Sequence, residues 1–370
     1  MNVYRSAVWF PLILAVLVSF WSTIAALVIA VIVIALARME AEIEGKRSGD
    51  DRRLSFPPMK DSHPHPSPSW TIADSLRYQS GFVDVDGIRI WWQSFSPINP
   101  KGIVITLHGY ADHSDYRMYE LSHDISNGGD LIVIALDQPG FGRSDGLWGY
   151  IPDWHEHVDI CVRAIRLMLD SNSELSLKNL PVFCYGHSMG GGLAISISVR
   201  YPTLFQGIVL SAPMCGINPE LRRSWIVEKF FFALADWFPR LPITPVPDLS
   251  RLCYKDPAFH AQERIKNKLA FPLKPRLGTA RSMLRAQAWI GENAHMLTVP
   301  FLIIHGDHDV VTSHTMSVKF QKRAGSKDTE VELIKGGYHI MMGYGMDDKI
   351  NGFLLHRITN WIRSRIQIAI

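Results

Sequence analysis

The stretch PVFCYGHSMGGGLAIS, residues 181–196, places a serine between glycines directly after an apolar run. Ser188 stands between Gly186 and Gly190. Glycine is needed on both sides where a chain turns sharply from a strand into a helix, because a side chain at either flank would collide with neighbouring backbone. A serine held at such a turn presents its hydroxyl, so we predict that Ser188 is a nucleophile.

A serine hydroxyl is a weak nucleophile unless a neutral histidine accepts its proton and a carboxylate orients that histidine. Asp307 and Asp309 follow the apolar run FLIIHG, and His339 follows EVELIKGG. The order serine, acid, histidine along the chain is typical of α/β-hydrolases and differs from that of other serine-hydrolase folds. We therefore predict a triad of Ser188, Asp309 and His339. Asp309 is favoured because related loops place the acid three residues after the glycine, and Asp307 is the alternative.

Acyl transfer also requires hydrogen-bond donors for the negative charge that develops on the carbonyl oxygen. The backbone N–H of Met189, directly after the serine, is one predicted donor. The second predicted donor is the backbone N–H of Tyr110, in the loop HGYAD that follows IVITL. The loop LDQPGFGRSDG, which contains Asp137, is predicted to brace this oxyanion loop.

The elements that must position these residues alternate between strand-like and helix-like segments from about Gly81 onward. FVDVDGIRIWWQSF predicts a hairpin that turns at Asp86-Gly87. Short apolar runs follow, mostly separated by stretches long enough for a helix: GIVITLHG, LIVIALD, PVFCYG, GIVLSAP, FLIIHGD and EVELIKGG. This alternation predicts a mostly parallel sheet with helices on both faces and with its chemistry at the carboxyl ends of the strands.

The N-terminal part of the chain has a different character. Residues 7–37 contain no charged side chain and exceed the roughly 20 residues that a helix needs to cross a bilayer. We predict that residues 1–37 anchor the protein in a membrane, as a tilted helix or a hairpin; a signal peptide cleaved near residues 35–37 is the competing interpretation. More basic residues follow the apolar run, within 38–53, than precede it, where Arg5 is the basic side chain. This bias predicts that the bulk of the chain lies on the cytoplasmic side.

The chain is thus predicted to divide into segments with distinct roles. They are a transmembrane anchor at 1–37, a charged and proline-rich linker at 38–77, a hydrolase core at 78–214 and 298–370, and a cap at 215–297. Within the cap, SWIVEKFFFALADWFP predicts an amphipathic helix whose apolar stripe consists of Trp225, Ile226, Phe230, Ala233, Leu234 and Trp237. This stripe either packs onto the main domain or faces an acyl chain or a bilayer.

Composition excludes several classes of function. A chain of 370 residues with 47% hydrophobic content can bury a large core, and a net charge of +3 predicts no nucleic-acid partner. The four cysteines lack CxxC spacing, which indicates buried thiols rather than disulfides or metal ligands. His155 and His157 lie two residues apart on a predicted helix, so we expect a solvated face rather than a metal pair.

Several motifs together resemble the monoacylglycerol lipase branch of the α/β-hydrolases, particularly its plant-type members. They are HGYADHSDY, LDQPGFGRSDG, GHSMGG, LSAPMCGI, KPRLGT and HGDHDVVT. The branch includes lysophospholipases and caffeoylshikimate esterases, and the resemblance covers residues 78–365. It implies hydrolysis of a carboxylic ester through an acyl-enzyme on Ser188, with no metal and no organic cofactor. We expect the substrate to be a monoacyl lipid, a monoacylglycerol or a lysophospholipid, and no obligate protein partner is evident from the sequence.

Two positions depart from the animal members of that branch, which carry an arginine shortly after HSG in the oxyanion loop and a second histidine three residues after the catalytic one. Here the loop reads HSDYR at 113–117, and the second position is Met342. The sequence therefore does not identify the alcohol leaving group of the substrate. Two alternative functions also stand: the same mechanism on a hydroxycinnamoyl ester or a peptide-like amide, and a non-catalytic α/β-hydrolase that only binds its ligand.

Overall fold

The computed structural model describes residues 25–43, 72–171, 180–216, 224–245, 248–343 and 346–368. The strands are β1 (Leu76–Val85), β2 (Ile88–Pro97), β3 (Gly102–Leu107), β4 (Leu131–Leu136), β5 (Val182–His187), β6 (Gly207–Ser211), β7 (Phe301–Gly306) and β8 (Thr329–Ile334). The α-helices are α1 (25–43), α2 (Arg117–Gly129), α3 (Trp154–Ser171), α4 (Met189–Arg200), α5 (Trp225–Trp237), α6 (Pro257–Lys266), α7 (Leu277–Glu292), α8 (His314–Arg323) and α9 (Asp348–Ile368).

The strands form one mostly parallel sheet, as the alternating pattern predicted. Their order is β1-β2-β4-β3-β5-β6-β7-β8. The first two strands pair antiparallel, and β2 also pairs antiparallel with β4. From β4 to β8 every pairing is parallel, so the carboxyl ends of β3, β5, β7 and β8 meet at one edge of the sheet.

Both faces of the sheet are buried. Successive side chains of a strand point to opposite faces, so a strand that is buried along its whole length must be covered on both. Strand β3 shows the rule: Ile103, Ile105 and Leu107 lie in the core on one face, and Val104 lies in the core on the other. Residues of α3 and α4 belong to the first core, and residues of α2 and α9 belong to the second. Every residue of β3 is buried, which explains its continuous apolar sequence.

The predicted hairpin is present but begins earlier than expected. Asp86 and Gly87 join β1 to β2, and both have positive φ, +54° and +82°, as a two-residue turn between twisted strands requires. Strand β1 starts at Leu76, five residues before the predicted Gly81. The additional residues of β1 pair with the second half of β2, from Gln93 to Pro97, and Leu76 is buried beside Phe95.

The N-terminal prediction falls partly outside the described residues. Residues 1–24 of the predicted anchor and 44–71 of the predicted linker are among those that the structure does not describe. Within the described residues, no helix combines the length and apolar content needed to cross a membrane. Helix α1 continues to residue 43, inside the stretch predicted as a linker, and its last turns contact the cap.

The described elements between β6 and β7 are helical, and α5 lies in this region as predicted. Its packed face differs from the predicted stripe, however. Ala235 is fully buried, and Phe231 packs beside it together with Leu234, a member of the predicted stripe. The other members of the stripe are exposed: Trp225, Ile226, Phe230, Ala233 and Trp237. Trp225 is 65% exposed and Trp237 is 80% exposed. The interpretation in which this stripe packs onto the main domain is therefore wrong.

Candidate active site

Ser188 lies at the junction between β5 and α4, with φ +54° and ψ −115°. Such a backbone is strained for a residue with a side chain, and it is held here by hydrogen bonds from Ser188 N–H to the Ser211 carbonyl and from Met214 N–H to the Ser188 carbonyl. The flanking glycines permit the turn. A Cβ at Gly186 would overlap the Gly190 backbone, and a Cβ at Gly190 would overlap backbone atoms of β3.

His339 connects this serine to an acid. It follows β8, and its Nε2 lies 2.9 Å from Ser188 Oγ, within hydrogen-bond distance. On the other side of the ring, Nδ1 lies 2.7 Å from Asp309 Oδ2. The structure therefore brings together the three side chains that the sequence predicted from three separate strand ends. With Nδ1 donating to the carboxylate, Nε2 is the nitrogen left to accept the serine proton.

Asp309 is bound from several directions by loop and strand residues. Its Oδ2 accepts from His305 Nε2 at 3.0 Å and from the Thr312 hydroxyl at 2.8 Å, besides His339. Its Oδ1 accepts from the backbone N–H groups of Val311 and Thr312, at 2.8 and 3.1 Å. The carboxylate is thus fixed in place before any substrate arrives.

The environment of Asp309 favours its charged form. Burial alone would raise the pKa of this carboxyl, but the charge of His339 and the hydrogen bonds from His305 and His339 outweigh burial and hold the pKa well below its usual range. Asp307 lies elsewhere. Its carboxylate is partly exposed and accepts from Gly336 N–H at 2.6 Å. The contact with His339 thus favours Asp309 over Asp307 as the acid.

The loop after β3 lies directly against the serine. A Cβ at Gly109 would come within 3.2 Å of the Ser188 Cβ, so the glycine allows the backbone of the next residue, Tyr110, to run close beside it. Met189 is the first residue of α4, and the N–H groups of a first helical turn have no acceptor within the helix. The two predicted donors thus belong to the residue after Gly109 and to the residue after Ser188, and their binding of an oxyanion stays a prediction.

The loop at 136–146 braces the oxyanion loop, as predicted. Asp137 Oδ1 accepts from Ser114 N–H at 2.6 Å, and its Oδ2 accepts from Arg143 N–H at 2.7 Å. Gln138 donates from Nε2 to the His108 carbonyl at 2.7 Å. Because all these groups are buried, the bonds fix the loop that precedes Tyr110.

His157 belongs to this bracing network, so the prediction of a solvated face is wrong for it. It is 3% exposed, and its Nε2 lies 3.0 Å from Gln138 Oε1. Burial, and to a smaller extent the charge of His108, lower the pKa of His157 to about 3. The spacing of residues along a helix could not predict this contact, because Gln138 lies outside the helix that carries His157.

Two residues of the site were not predicted. His305 lies within the apolar strand β7 and is fully buried, with Nδ1 2.9 Å from Ser317 Oγ. Burial lowers its pKa although Asp309 opposes the effect, so the ring is neutral and donates to Asp309 through Nε2. The sequence signal that could have indicated His305 is its polar side chain inside the apolar run FLIIHG. Thr312 gave no such signal, since threonine is common in loops.

Arg117, the arginine that follows the oxyanion loop, is buried in an ion pair. Its guanidinium donates to Asp112 Oδ2 at 2.6 Å. Burial would lower its pKa, but the Asp112 charge, the nearby Tyr254 and Tyr185 and the hydrogen bond to Asp112 together outweigh burial and raise it. Met342 is also buried, within the core that faces α2 and α9. The two positions that depart from the animal members of the branch are thus occupied by packed groups.

All four cysteines are free thiols, and burial raises the pKa of Cys215 to about 11 and of Cys253 to about 12. Across the portion of the chain that the structure describes, no cluster of three or more histidine, cysteine or acidic side chains could hold a metal ion.

Comparison with known proteins places the chain among hydrolases. A family model described as serine aminopeptidase, S33, matches residues 98–343, about two thirds of the chain. The caffeoylshikimate esterase of Arabidopsis thaliana is 26% identical over 312 residues, which cover 82% of this chain and 90% of that protein. The monoacylglycerol lipase of Mycolicibacterium smegmatis is 29% identical over 301 residues, covering 80% of this chain and all of that protein.

A solved structure also resembles this one. The soluble variant of monoglyceride lipase from Saccharomyces cerevisiae, in complex with a substrate analog, superposes with a TM-score of 0.69 at 21% identity. The match covers 82% of this chain and 98% of the yeast chain. At this identity the likeness is one of fold, and it identifies the architecture as the α/β-hydrolase fold.

Replacing the two acids separately tests which one orients His339. Asp309→Asn should lower kcat/KM for an ester roughly 10⁴-fold, because the amide favours the wrong histidine tautomer. Asp307→Asn should leave kcat/KM roughly unchanged, because its carboxylate binds the Gly336 backbone. Steady-state kinetics on both variants, with thermal melts to check folding, make the comparison. The reverse ranking would transfer the acid role to Asp307.

Buried His157 should make the fold sensitive to acid. Between pH 6.5 and about 3 the unfolded histidine binds a proton that the folded one does not, so the free energy of unfolding falls as pH falls through this window. At pH 5 the loss should be about 2 kcal/mol for this residue. Urea unfolding at pH 7.5 and pH 5 should show that the free energy of unfolding falls less between these pH values in His157→Gln than in the wild type. His356→Gln, at an exposed site, is the matched control and should match the wild type; equal acid losses in all three proteins would contradict this account.

Proposed function

The chain belongs to the serine aminopeptidase S33 family of hydrolases, and from this membership we propose that it is a membrane-anchored serine hydrolase that cleaves the carboxylic ester of a monoacyl lipid. The observation that carries the proposal is the continuous hydrogen-bonded path from Ser188 through His339 to Asp309. A protein that only binds its ligand has no need of a strained serine in contact with a buried histidine and carboxylate.

In the first half of the reaction, Ser188 Oγ attacks the ester carbonyl while its proton passes to His339 Nε2. Asp309 accepts from Nδ1 and stabilises the imidazolium that forms. The negative charge on the carbonyl oxygen is bound by the backbone N–H groups of Tyr110 and Met189. His339 then gives the proton to the leaving alcohol, and the acyl group stays on Ser188.

In the second half, water takes the place of the alcohol. His339 removes a proton from this water, which attacks the acyl carbonyl in the same oxyanion site. The fatty acid leaves, and the proton returns from His339 to Ser188. Because Asp309 is fixed by donors on both of its oxygens, the histidine keeps the same orientation through both halves.

Two observations support a monoacyl lipid as the substrate. Relatives named as monoacylglycerol lipases match most of this chain. The cap helix α5 also exposes large apolar side chains, among them Trp225, Phe230 and Trp237, which is unusual for a surface that meets only water. An amphiphilic substrate presented by a lipid surface fits such a cap. Arg117 and Met342 are buried, so they give no indication of the head group, which has to be identified by experiment.

The second candidate is cleavage of a non-lipid ester or of an amide. The description of the family as a serine aminopeptidase favours an amide, and the likeness to a caffeoylshikimate esterase favours a hydroxycinnamoyl ester. Both reactions use the same nucleophile, base and acid, so they differ from the leading proposal only in the groups that hold the substrate.

The membrane anchor is the second part of the proposal. The uncharged run at residues 7–37 is long enough to enter a bilayer, and the apolar side chains of α1 at 27–34 are exposed in the described part of that run. Basic residues after the run favour the cytoplasmic side for the hydrolase core. A surface-bound enzyme meets a surface-bound monoacyl lipid at high local concentration, so anchor and substrate suit one another.

A series of acyl esters tests the substrate class. The purified full chain should hydrolyse 1-acylglycerols with kcat/KM at least about tenfold higher for a long-chain acyl group than for acetyl, because each buried CH₂ contributes about 0.8 kcal/mol. Ser188→Ala should lose both activities and should fail to react with a fluorophosphonate, while keeping the wild-type melting temperature.

Three other outcomes would redirect the proposal. Higher kcat/KM for a feruloyl ester or for an aminoacyl amide than for any acylglycerol would favour the second candidate. Labelling of Ser188→Ala by the fluorophosphonate would remove Ser188 as the nucleophile. Binding of acylglycerols by the wild type without hydrolysis would favour a non-catalytic protein.

Flotation with lipid vesicles tests the anchor. The full chain should float with phosphatidylcholine vesicles in a density gradient and resist extraction by 1 M salt, because the expected interaction is apolar. In sealed microsomes the hydrolase core should be open to added protease. Release of the full chain by salt alone would contradict an inserted anchor, and full protection of the core would place it on the lumenal side.

A further inference from the structure

Helix α1 is attached to the cap along one stripe of its surface. Leu36 and Ile43 pack against the cap cluster formed by Ala235, Phe238, Leu241 and Leu277. Glu40 lies between them on the same stripe, since residues four and three positions apart share a helix face. Glu40 is 8% exposed, an unusual burial for a glutamate. A membrane tether that only limited diffusion would have no need of such a buried contact.

Glu40 is buried because Arg240 satisfies it. Its Oε1 accepts from the Arg240 backbone N–H at 3.0 Å and from the guanidinium Nη1 at 3.2 Å. Its Oε2 accepts from the same backbone N–H at 3.2 Å. Arg240 follows α5, so the pair joins α1 to the part of the cap next to that helix. A buried carboxylate paired in this way is costly to leave without its partner.

A second arginine continues the connection toward the site. Arg276 donates from Nη1 to the Arg240 carbonyl at 2.5 Å and from Nε to the Trp148 carbonyl at 2.8 Å. Arg276 is buried, and burial lowers its pKa while Tyr110 and then Glu40 oppose the effect. Glu40 therefore serves as a counter-charge for both arginines.

The far end of this connection is the aromatic wall beside the oxyanion loop. The Arg276 guanidinium lies 5.4 Å from the Phe271 ring centre, and Phe271 contacts the rings of both Trp148 and Tyr110. The Tyr110 hydroxyl donates to the Gly149 carbonyl at 3.2 Å. We use the name aromatic wall for Tyr110, Trp148 and Phe271. It connects the cap to a residue whose backbone N–H is a proposed oxyanion donor.

From these contacts we propose that Glu40 is a positioning residue, which ties the membrane-proximal helix to the cap through Arg240 and Arg276 and so sets the position of the aromatic wall. The inference rests on the proposed function for its kinetic readout. It goes further by making the N-terminal helix part of the enzyme, so that the bilayer fixes the cap as well as the chain. Both helices joined by this contact, α1 and α5, expose large apolar residues that a lipid surface would cover.

Substitution of Glu40 tests the proposal in the full-length protein. Glu40→Gln should raise KM for a long-chain 1-acylglycerol in vesicles about tenfold and leave kcat within about twofold, because the cap shapes binding and the triad is untouched. Glu42→Gln removes an exposed carboxylate from the same helix and should match the wild type. Glu40→Asp should recover part of the lost affinity. Arg240→Gln should raise KM similarly, and the double variant should be no worse than either single one.

Hydrogen exchange provides a readout that does not depend on catalysis. The Arg240 amide, which donates to Glu40, should exchange faster in Glu40→Gln than in the wild type and in Glu42→Gln, and amides of β5 should be unchanged. Unchanged KM together with unchanged exchange would overturn the proposal. A fall in kcat with unaltered KM would also overturn it, since that would place the effect of Glu40 on the chemical step or on the fraction of folded enzyme rather than on substrate binding. If the wild type hydrolyses no ester, the proposed function fails, and hydrogen exchange still decides whether Glu40 ties α1 to the cap.

Discussion

The buried charge of Asp309 is the constraint on which the candidate site depends. A carboxylate removed from water is stable only where donors replace its hydration, and here two histidines, a threonine hydroxyl and two backbone N–H groups do so. One of these donors is His339, so the same bonds that stabilise the charge also orient the ring toward Ser188. The sheet makes this possible, because the ends of β5, β7 and β8 meet at one edge. The strain at Ser188 is tolerated because hydrogen bonds with Ser211 and Met214 hold the turn and the glycines on either side permit close backbone contact.

Much of this arrangement follows from local sequence. Apolar runs in strand-helix alternation predicted the sheet, and glycines at 186 and 190 predicted the turn at Ser188, because close backbone contact admits no other residue. Predictions that required contacts between distant elements were less successful. The start of β1 at Leu76 depends on pairing with β2, the orientation of α5 depends on what lies beneath the cap, and the burial of His157 depends on Gln138. His305 and Thr312 act on Asp309 through space, and no periodicity in the sequence indicates them.

The cap and the N-terminal helix extend the same reasoning to the substrate side. The sequence alone suggested a tether separated from the enzyme by a linker. In the structure α1 reaches the cap, and Glu40 forms buried contacts that resemble those within a domain more than those of a flexible connection. Under the proposed function, lipid recognition would be a property of the bilayer, α1 and the cap together, and bond cleavage would take place at the sheet edge. This division is consistent with relatives that act on different esters while sharing one fold.

The most direct test of the central claim, that Ser188 is acylated and His339 transfers its proton, is rapid-quench kinetics with a p-nitrophenyl ester followed by peptide mass spectrometry. If deacylation is the slower step, the account predicts a burst of p-nitrophenol close to one equivalent per enzyme. In either case it predicts an acyl adduct on the tryptic peptide 179–200, which fragmentation assigns to Ser188 rather than to Ser196 or Ser198. His339→Ala should show neither burst nor adduct. An adduct on another residue, or turnover by the wild type with no adduct detectable in acid-quenched samples, would contradict the account.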